Sequence, residues 1–298
     1  MRHAIGNRAP PLRTIGFAVA RERIARVDAR WLQILFLGSL LLVGALLRDF
    51  ALTWPQIVLT FSAALGTQAI WSTDRGSLPA HALLSAAVTA LGLSILLRAD
   101  SLWVHPLIAT LAISAKFVIR VRDKHLFNPA NLGVVIAVIF LPGTWISPGQ
   151  WGSDWVAALW FILLGVTVTT RAQRFDIAWA FLACYVALLA GRIFWFDMRW
   201  AVLGNQLSSG ALLLFTFFMI TDPRTTPDDR AMRYLYAALV AALAFVWQYV
   251  LFKPAGPIWA LFLLTPLVPL LDLLRPAERF QWRPAARSPG HGARLDAG

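Results

Sequence analysis

Two polar clusters interrupt an otherwise apolar chain, and both carry residue types suited to holding an anion. The first runs from Ser114 to Asn131. Lys116 and Arg120 are four residues apart, a spacing that puts both on one face of a helix. After Arg122 and Lys124, Asn128-Pro129 offers a capping side chain and a proline suited to the first turn of a new helix. A helix start exposes free N–H groups and a partial positive charge. Lys116, Arg120, Asn128 and Asn131 together predict a pocket for an anion or a phosphate. Arg122 and Lys124 read as loop cations that snorkel toward water.

The second cluster is Gln206-Leu207-Ser208-Ser209-Gly210-Ala211, followed after an apolar stretch by Met219-Ile220-Thr221-Asp222-Pro223-Arg224-Thr225-Thr226-Pro227. Ser209 and Gly210 are small enough for a helix or a ligand to approach the backbone. Asp222, Arg224 and Thr225 place an acid, a base and a hydroxyl at the end of an apolar run, although the same segment also makes a good turn and helix stop. Elsewhere, Arg192 lies inside an apolar run, where a charge must face the bundle and find a carboxylate or carbonyls; Asp176 and Asp197 are its candidate partners. His81, His105 and His125 do not form the matched pair that haem ligation needs and read as interfacial. The single cysteine, Cys184, permits no disulfide or cysteine metal site within the chain and reads as packing. No metal-ligand cluster, Walker motif or nucleophile triad is present.

The elements that must position these clusters follow from composition. Of 298 residues, 58% are hydrophobic and 14% charged, against about 45–50% and about 25% in soluble domains. That excludes an ordinary cytosolic domain and makes the lipid bilayer the principal partner. The net charge of +12 could suit nucleic acid, but once the apolar runs are removed no folded soluble domain is left to bear a basic face, so nucleic acid is not expected as a partner. Ten apolar runs are legible: 32–47, 51–71, 78–97, 102–119, 128–141, 155–170, 177–196, 201–220, 232–252 and 257–274. The fold expected is all-α and integral to the membrane, with about ten transmembrane helices. Several runs fall short of the ~20 residues needed to cross ~30 Å of hydrocarbon. The run between Pro129 and Pro142 reaches only about 20 Å as a helix. A short, broken helix of this kind is tolerated where it lines protein or a cavity, and so points to a site.

Residues 1–30 carry seven arginines and read as a basic cytoplasmic tail that stays attached, the run at 32–47 acting as a signal anchor; residues 275–298 form a second basic cytoplasmic tail. With both termini inside, 21 of the 27 Lys and Arg residues fall on the inner side, four on the outer and two within spans, as the positive-inside rule requires. Leu126-Phe127-Asn128-Pro129-Ala130 and Leu251-Phe252-Lys253-Pro254-Ala255 match at four of five positions at an offset of 125 residues, and the same offset carries runs one to four onto runs six to nine. Five spans per unit is odd, so residues 31–149 and 150–274 are expected to be two five-helix repeats, the second inverted.

The stretches SAKFVIRVRDKHLFNPANLG and SSGALLLFTFFMITDPRTTP resemble the membrane family that contains the B subunit of sodium-pumping NADH:quinone reductase and the D subunit of the Rnf electron-transport complex. FNPANLG followed by WISPGQWG is similar to a stand-alone branch found with enediyne biosynthesis clusters. The resemblance covers the second to the tenth run. It implies ten helices in two inverted halves, location in the bacterial inner membrane, other membrane redox subunits as partners, and a flavin mononucleotide joined through its phosphate to the threonine of a Ser-Gly-Ala-Thr motif. The matching stretch here is Ser209-Gly210-Ala211-Leu212, and leucine has no hydroxyl to form the ester. Covalent flavin is excluded at that position, and noncovalent flavin is the form left open. Three function classes follow: an electron-transport subunit, a transporter or channel for a small solute or ion on the same scaffold, and a non-catalytic membrane partner of soluble enzymes.

Overall fold

The computed structural model describes residues 29–47, 53–73, 76, 80–122, 124–147, 174–207 and 209–280. Helices dominate: α1 (Ala29–Leu47), α2 (Trp54–Thr73), α3 (Ala80–Leu96), α4 (Val104–Val118), α5 (Pro129–Phe140), α6 (Phe175–Trp195), α7 (Ala201–Leu207), α8 (Gly210–Leu214), α9 (Arg230–Phe245), α10 (Gly256–Leu264) and α11 (Val268–Leu274). α8 and α9 run on as wide π-helical turns, Phe215–Met219 and Val246–Val250, and α10 reaches α11 through the tight turn Thr265–Leu267. These helices occupy nine of the ten apolar runs; the run at 155–170 lies outside the described residues.

Three of them, Phe175–Trp195, Arg230–Val250 and Gly256–Leu274, are long and apolar enough to cross a membrane, and Ala201–Leu207 with Gly210–Met219 makes a fourth if that pair, bent by 50°, is one span. α2 has the length at 20 residues, but it buries Gln56, Thr60, Gln68 and Ser72 along one row. Two short antiparallel ribbons modify the all-helical expectation. β1 (Leu97–Ala99) pairs with β4 (Thr144–Ile146), and β2 (Arg120–Val121) with β3 (Lys124–His125). Each fills the gap between helix ends with backbone hydrogen bonds, which is how non-helical backbone satisfies itself among packed helices.

Local chemistry explains the helix starts that matter for the site. Asn128 caps α5, its side-chain oxygen accepting the Asn131 N–H at 3.1 Å, with Pro129 in the first turn. Asp229 caps α9 by accepting from the N–H groups of Ala231 and Met232 at 3.0 and 3.1 Å. α5 has 12 residues, about 18 Å of helix, and is buried over most of its length. It sits tightly against α3 and α4: a Cβ on Gly133 would lie 3.0 Å from side-chain carbons of Ile108 and Leu93, and one on Gly92 would lie 3.0 Å from Ala130 Cβ. Such close backbone approach is the usual role of small residues between membrane helices.

The most extensive pairings are α2 with α4 and α6 with α9. Adding 125 to the residue numbers of the first pair lands on the second. The starts of α1, α3 and α5 and the ends of α2 and α4 gather at one face, bridged by Lys116 to Gln68 and Ser85. The starts of α6 and α9 and the ends of α8 and α11 reach the same face, where Lys124 and Asn128 contact Asp228, Asp272 and Asp222.

Candidate functional site

A cavity of about 230 Å³ opens among α1, α3, α4, the start of α5 and the end of α8. Along α3 its wall is a single stripe, Ala82, Ser85, Val88, Thr89, Gly92 and Leu96. Fourteen residues of rise make that slot about 21 Å deep. Arg30, Arg120 and Arg224 line the mouth, and Leu37, Leu214, Phe218 and Met219 line the apolar interior with α3. The ring of Phe218 is stacked on Phe36 at 4.7 Å, which fixes α8 against α1.

Lys116 stands between mouth and interior. Its ammonium donates to Gln68 Oε1 at 3.0 Å and to Ser85 Oγ at 3.1 Å. Both partners are neutral. Across the cavity, the carboxylate of Asp222 accepts from Asn128 Nδ2 at 3.3 Å and from the backbone N–H of Arg224 at 3.1 Å, and lies 3.7 Å from His125 Nε2. Burial pushes the Asp222 carboxyl up, but the nearby His125 imidazole and the amide and guanidinium of Arg224 outweigh it and hold the group below the usual aspartate range. Arg224 moves down from the ordinary guanidinium value because it is partly desolvated; Asp222 opposes the shift, and Arg30 and Arg120 add to it. Those last two effects record how closely the mouth cations crowd one another.

Of the nine residues singled out from sequence, Lys116, Arg120, Asn128, Asp222 and Arg224 line this one cavity. Asn131 is buried behind it, donating its side-chain amide to the Ile258 carbonyl at 3.0 Å and so tying α5 to α10. Thr225 is also buried; its backbone N–H and its hydroxyl turn back onto the Asp222 carbonyl at 3.1 and 3.4 Å. Ser209 and Gly210 sit at the bend, where α8 starts, about 18 Å along the axis from Asp222, and are not among the lining residues. Ser208 lies outside the described residues.

Several side chains take roles that differ from the sequence expectation. Lys124 is no snorkelling loop cation: it bridges Asp228 at 2.5 Å and Asp272 at 2.9 Å. His125 is buried and faces Asp222 rather than resting at an interface. Arg192 pairs with neither Asp176 nor Asp197; it donates to Met198 Sδ at 3.3 Å and lies over the Tyr249 and Phe196 rings. Asp176 instead accepts two hydrogen bonds from Arg233, at 2.8 and 2.6 Å, joining the starts of α6 and α9. Gln68, Ser85 and Arg30 join the site without having been expected there. Gln68 does carry a sequence signal, since Gln56, Thr60, Gln68 and Ser72 fall in one four-residue register inside an apolar run. Among the described residues no group of three or more His, Cys, Asp or Glu could hold a metal ion.

Residues 144–281 match the sequence profile of the NQR2, RnfD, RnfE family. The D subunit of the ion-translocating oxidoreductase complex of Tolumonas auensis is 39% identical over 67 residues, and its counterpart in Stutzerimonas stutzeri is 41% identical over 67 residues. In each case the aligned segment covers 22% of this chain and 19% of the relative, so the chain spans about a fifth of the length of these curated proteins.

Proposed function

We propose that this chain, whose residues 144–281 match the NQR2, RnfD, RnfE family, serves as a multi-pass inner-membrane subunit of an Rnf- or NQR-like electron-transport assembly, with other membrane redox subunits as partners. Its working site is the cavity between α1, α3, α4 and α8. The observation that carries the reading is the cavity's make-up. Four lining cations, Arg30, Lys116, Arg120 and Arg224, face one carboxylate, Asp222, in a slot about 21 Å deep along α3 whose far end is apolar.

These residues suit a flavin held without a covalent link. The mouth cations and Lys116 would hold its charged end, and Leu37, Val88, Leu214 and Phe218 its ring. A bound flavin would supply one- or two-electron carriage. The protein's own part is to bind, orient and keep water from the apolar end. Leu212, buried at the start of α8, offers no oxygen for an ester. The architecture we infer is two inverted five-helix repeats with both termini in the cytoplasm. It is supported by the 125-residue offset, by the matching α2–α4 and α6–α9 pairings, and by the 21 cations on the inner side.

The test is a visible spectrum of the purified protein and a denaturing gel viewed for flavin fluorescence. Flavin absorbance that is lost from the polypeptide on denaturation is the expected result. A fluorescent protein band contradicts the noncovalent reading, and a colourless protein that cannot be loaded with flavin contradicts the flavin itself. A second reading, transport of a small solute or ion, is favoured by one feature: Asn128–Asp222 links the two halves of the chain on the wall of a cavity that a bent helix also lines, and Lys124–Asp272 links them a second time outside it. A colourless protein that moves solute into liposomes would establish that alternative.

A further inference from the structure

The electrostatics of the slot are lopsided in a way that a flavin ring alone does not satisfy. A lysine ammonium has three N–H donors. Lys116 spends two on Gln68 and Ser85. Its third has no acceptor among the described residues, and no carboxylate lies within ion-pairing distance of it there. Asp222 is the one carboxylate on the wall, and it is already engaged by Asn128, His125 and the Arg224 amide. A buried cation whose protein partners are neutral is costly in a low-dielectric setting. An anion that enters the slot removes that cost.

Shape narrows the choice. Polar groups on the slot's walls concentrate toward the mouth, at Arg30, Gln33, Gln68, Ser85, Lys116 and Arg224, while beyond Thr89 the α3 wall is Gly92 and Leu96, facing Leu37, Leu214 and Phe218. A small inorganic ion would leave the apolar length empty. An uncharged apolar molecule would leave Lys116 uncompensated.

Resting on the flavin reading above, we propose that the cavity selects its ligand by a phosphate monoester head, seated on Lys116 and the mouth arginines, with an apolar body lying along α3. Two ligand sources share that chemistry: a phosphorylated flavin and a long-chain alkyl or prenyl phosphate. Charge-assisted N–H···O bonds to such a head are about twice as strong as neutral ones. The head group therefore sets the affinity.

The full-length protein, in a non-ionic detergent free of phosphate, is titrated with two probe pairs that differ only in the phosphate. Flavin mononucleotide against riboflavin is followed by flavin fluorescence, and decyl phosphate against decanol by calorimetry. The expected result is a preference for the phosphorylated member of about tenfold or more. That preference collapses in Lys116→Gln, survives in Lys116→Arg, and weakens with added salt. Phosphate preference in the flavin pair upholds both the selection and the flavin reading. Preference in the decyl pair with no flavin bound upholds the selection and overturns the flavin reading. Flavins bound with equal affinity uphold the flavin reading and overturn the selection, as does the absence of any phosphate preference in both pairs. Should Lys116→Gln fail to fold, competition in the wild type decides: inorganic phosphate must displace flavin mononucleotide and leave riboflavin bound, and displacement of neither or both overturns the proposal.

Discussion

Replacing Asp222 by asparagine keeps the side chain's shape and removes its charge. In the folded chain the carboxylate accepts from Asn128 Nδ2 and the Arg224 amide and lies 3.7 Å from His125. A hydrogen bond to a charged acceptor contributes about 1.5–3 kcal/mol, against about 1 kcal/mol for a neutral one. The two bonds end on different carboxylate oxygens, so asparagine keeps one as a neutral bond and sets its own N–H donors against the other donor, at a side chain still 19% exposed, where solvent takes part of the difference. The expected destabilisation at pH 7 is about 2 kcal/mol, or on the order of 30-fold in the unfolding equilibrium. The pH dependence has a definite sign. The folded carboxyl is held below its unfolded value, so the stabilisation is complete above the ordinary aspartate value of about 4 and is lost as pH falls through the lower, folded value. Tryptophan fluorescence during denaturant unfolding in detergent, at pH 7 and near pH 3, reads both. Equal stabilities at pH 7, or a gap as wide near pH 3 as at pH 7, would refute the assignment.

Other perturbations test the neighbouring contacts. Asp176→Ala deprives the buried Arg233 guanidinium of two of its three hydrogen bonds and of its carboxylate partner and should cost about 3 kcal/mol or more, seen as a lowered thermal midpoint with little change in ligand affinity, since neither residue lines the cavity. Asn128→Ala removes the α5 cap and the link to Asp222; a loss of about 1–2 kcal/mol is expected, readable in the same unfolding assay. Gly92→Leu puts a Cβ 3.0 Å from Ala130 Cβ and its branched end into the slot. Flavin binding should fall by about tenfold or more, and an unaltered affinity would show that the ligand does not lie along α3.

Whatever depends on local pattern is legible in the sequence. Apolar runs mark the helices because burial in lipid needs little beyond length and hydropathy, and Asn128-Pro129 announces its own cap because capping is a contact between residues three apart. The role of Lys124 cannot be read this way. Its partners, Asp228 and Asp272, lie more than a hundred residues further on, and nothing in a run of Arg-Val-Arg-Asp-Lys distinguishes a paired cation from a solvated one. The polar register that contains Gln68 marks one side of α2 without saying what it faces, Ser85 sits in a run that looks like an ordinary span, and only the meeting of α2, α3 and α4 around Lys116 gives them a task. The two ribbons are illegible for the same reason: two or three residues of strand carry no periodicity, and their pairing depends on which helix ends happen to be neighbours.

The face that carries the cavity is made from helix termini, whereas the turns at 197–200 and 251–255 lie at the far ends of α6 and α9 and bear exposed side chains. Epitope tags, fluorescent reporters or whole domains spliced into those turns would therefore leave ligand capture unaltered. They would also provide handles for pulling the protein, with whatever associates with it, out of a native membrane.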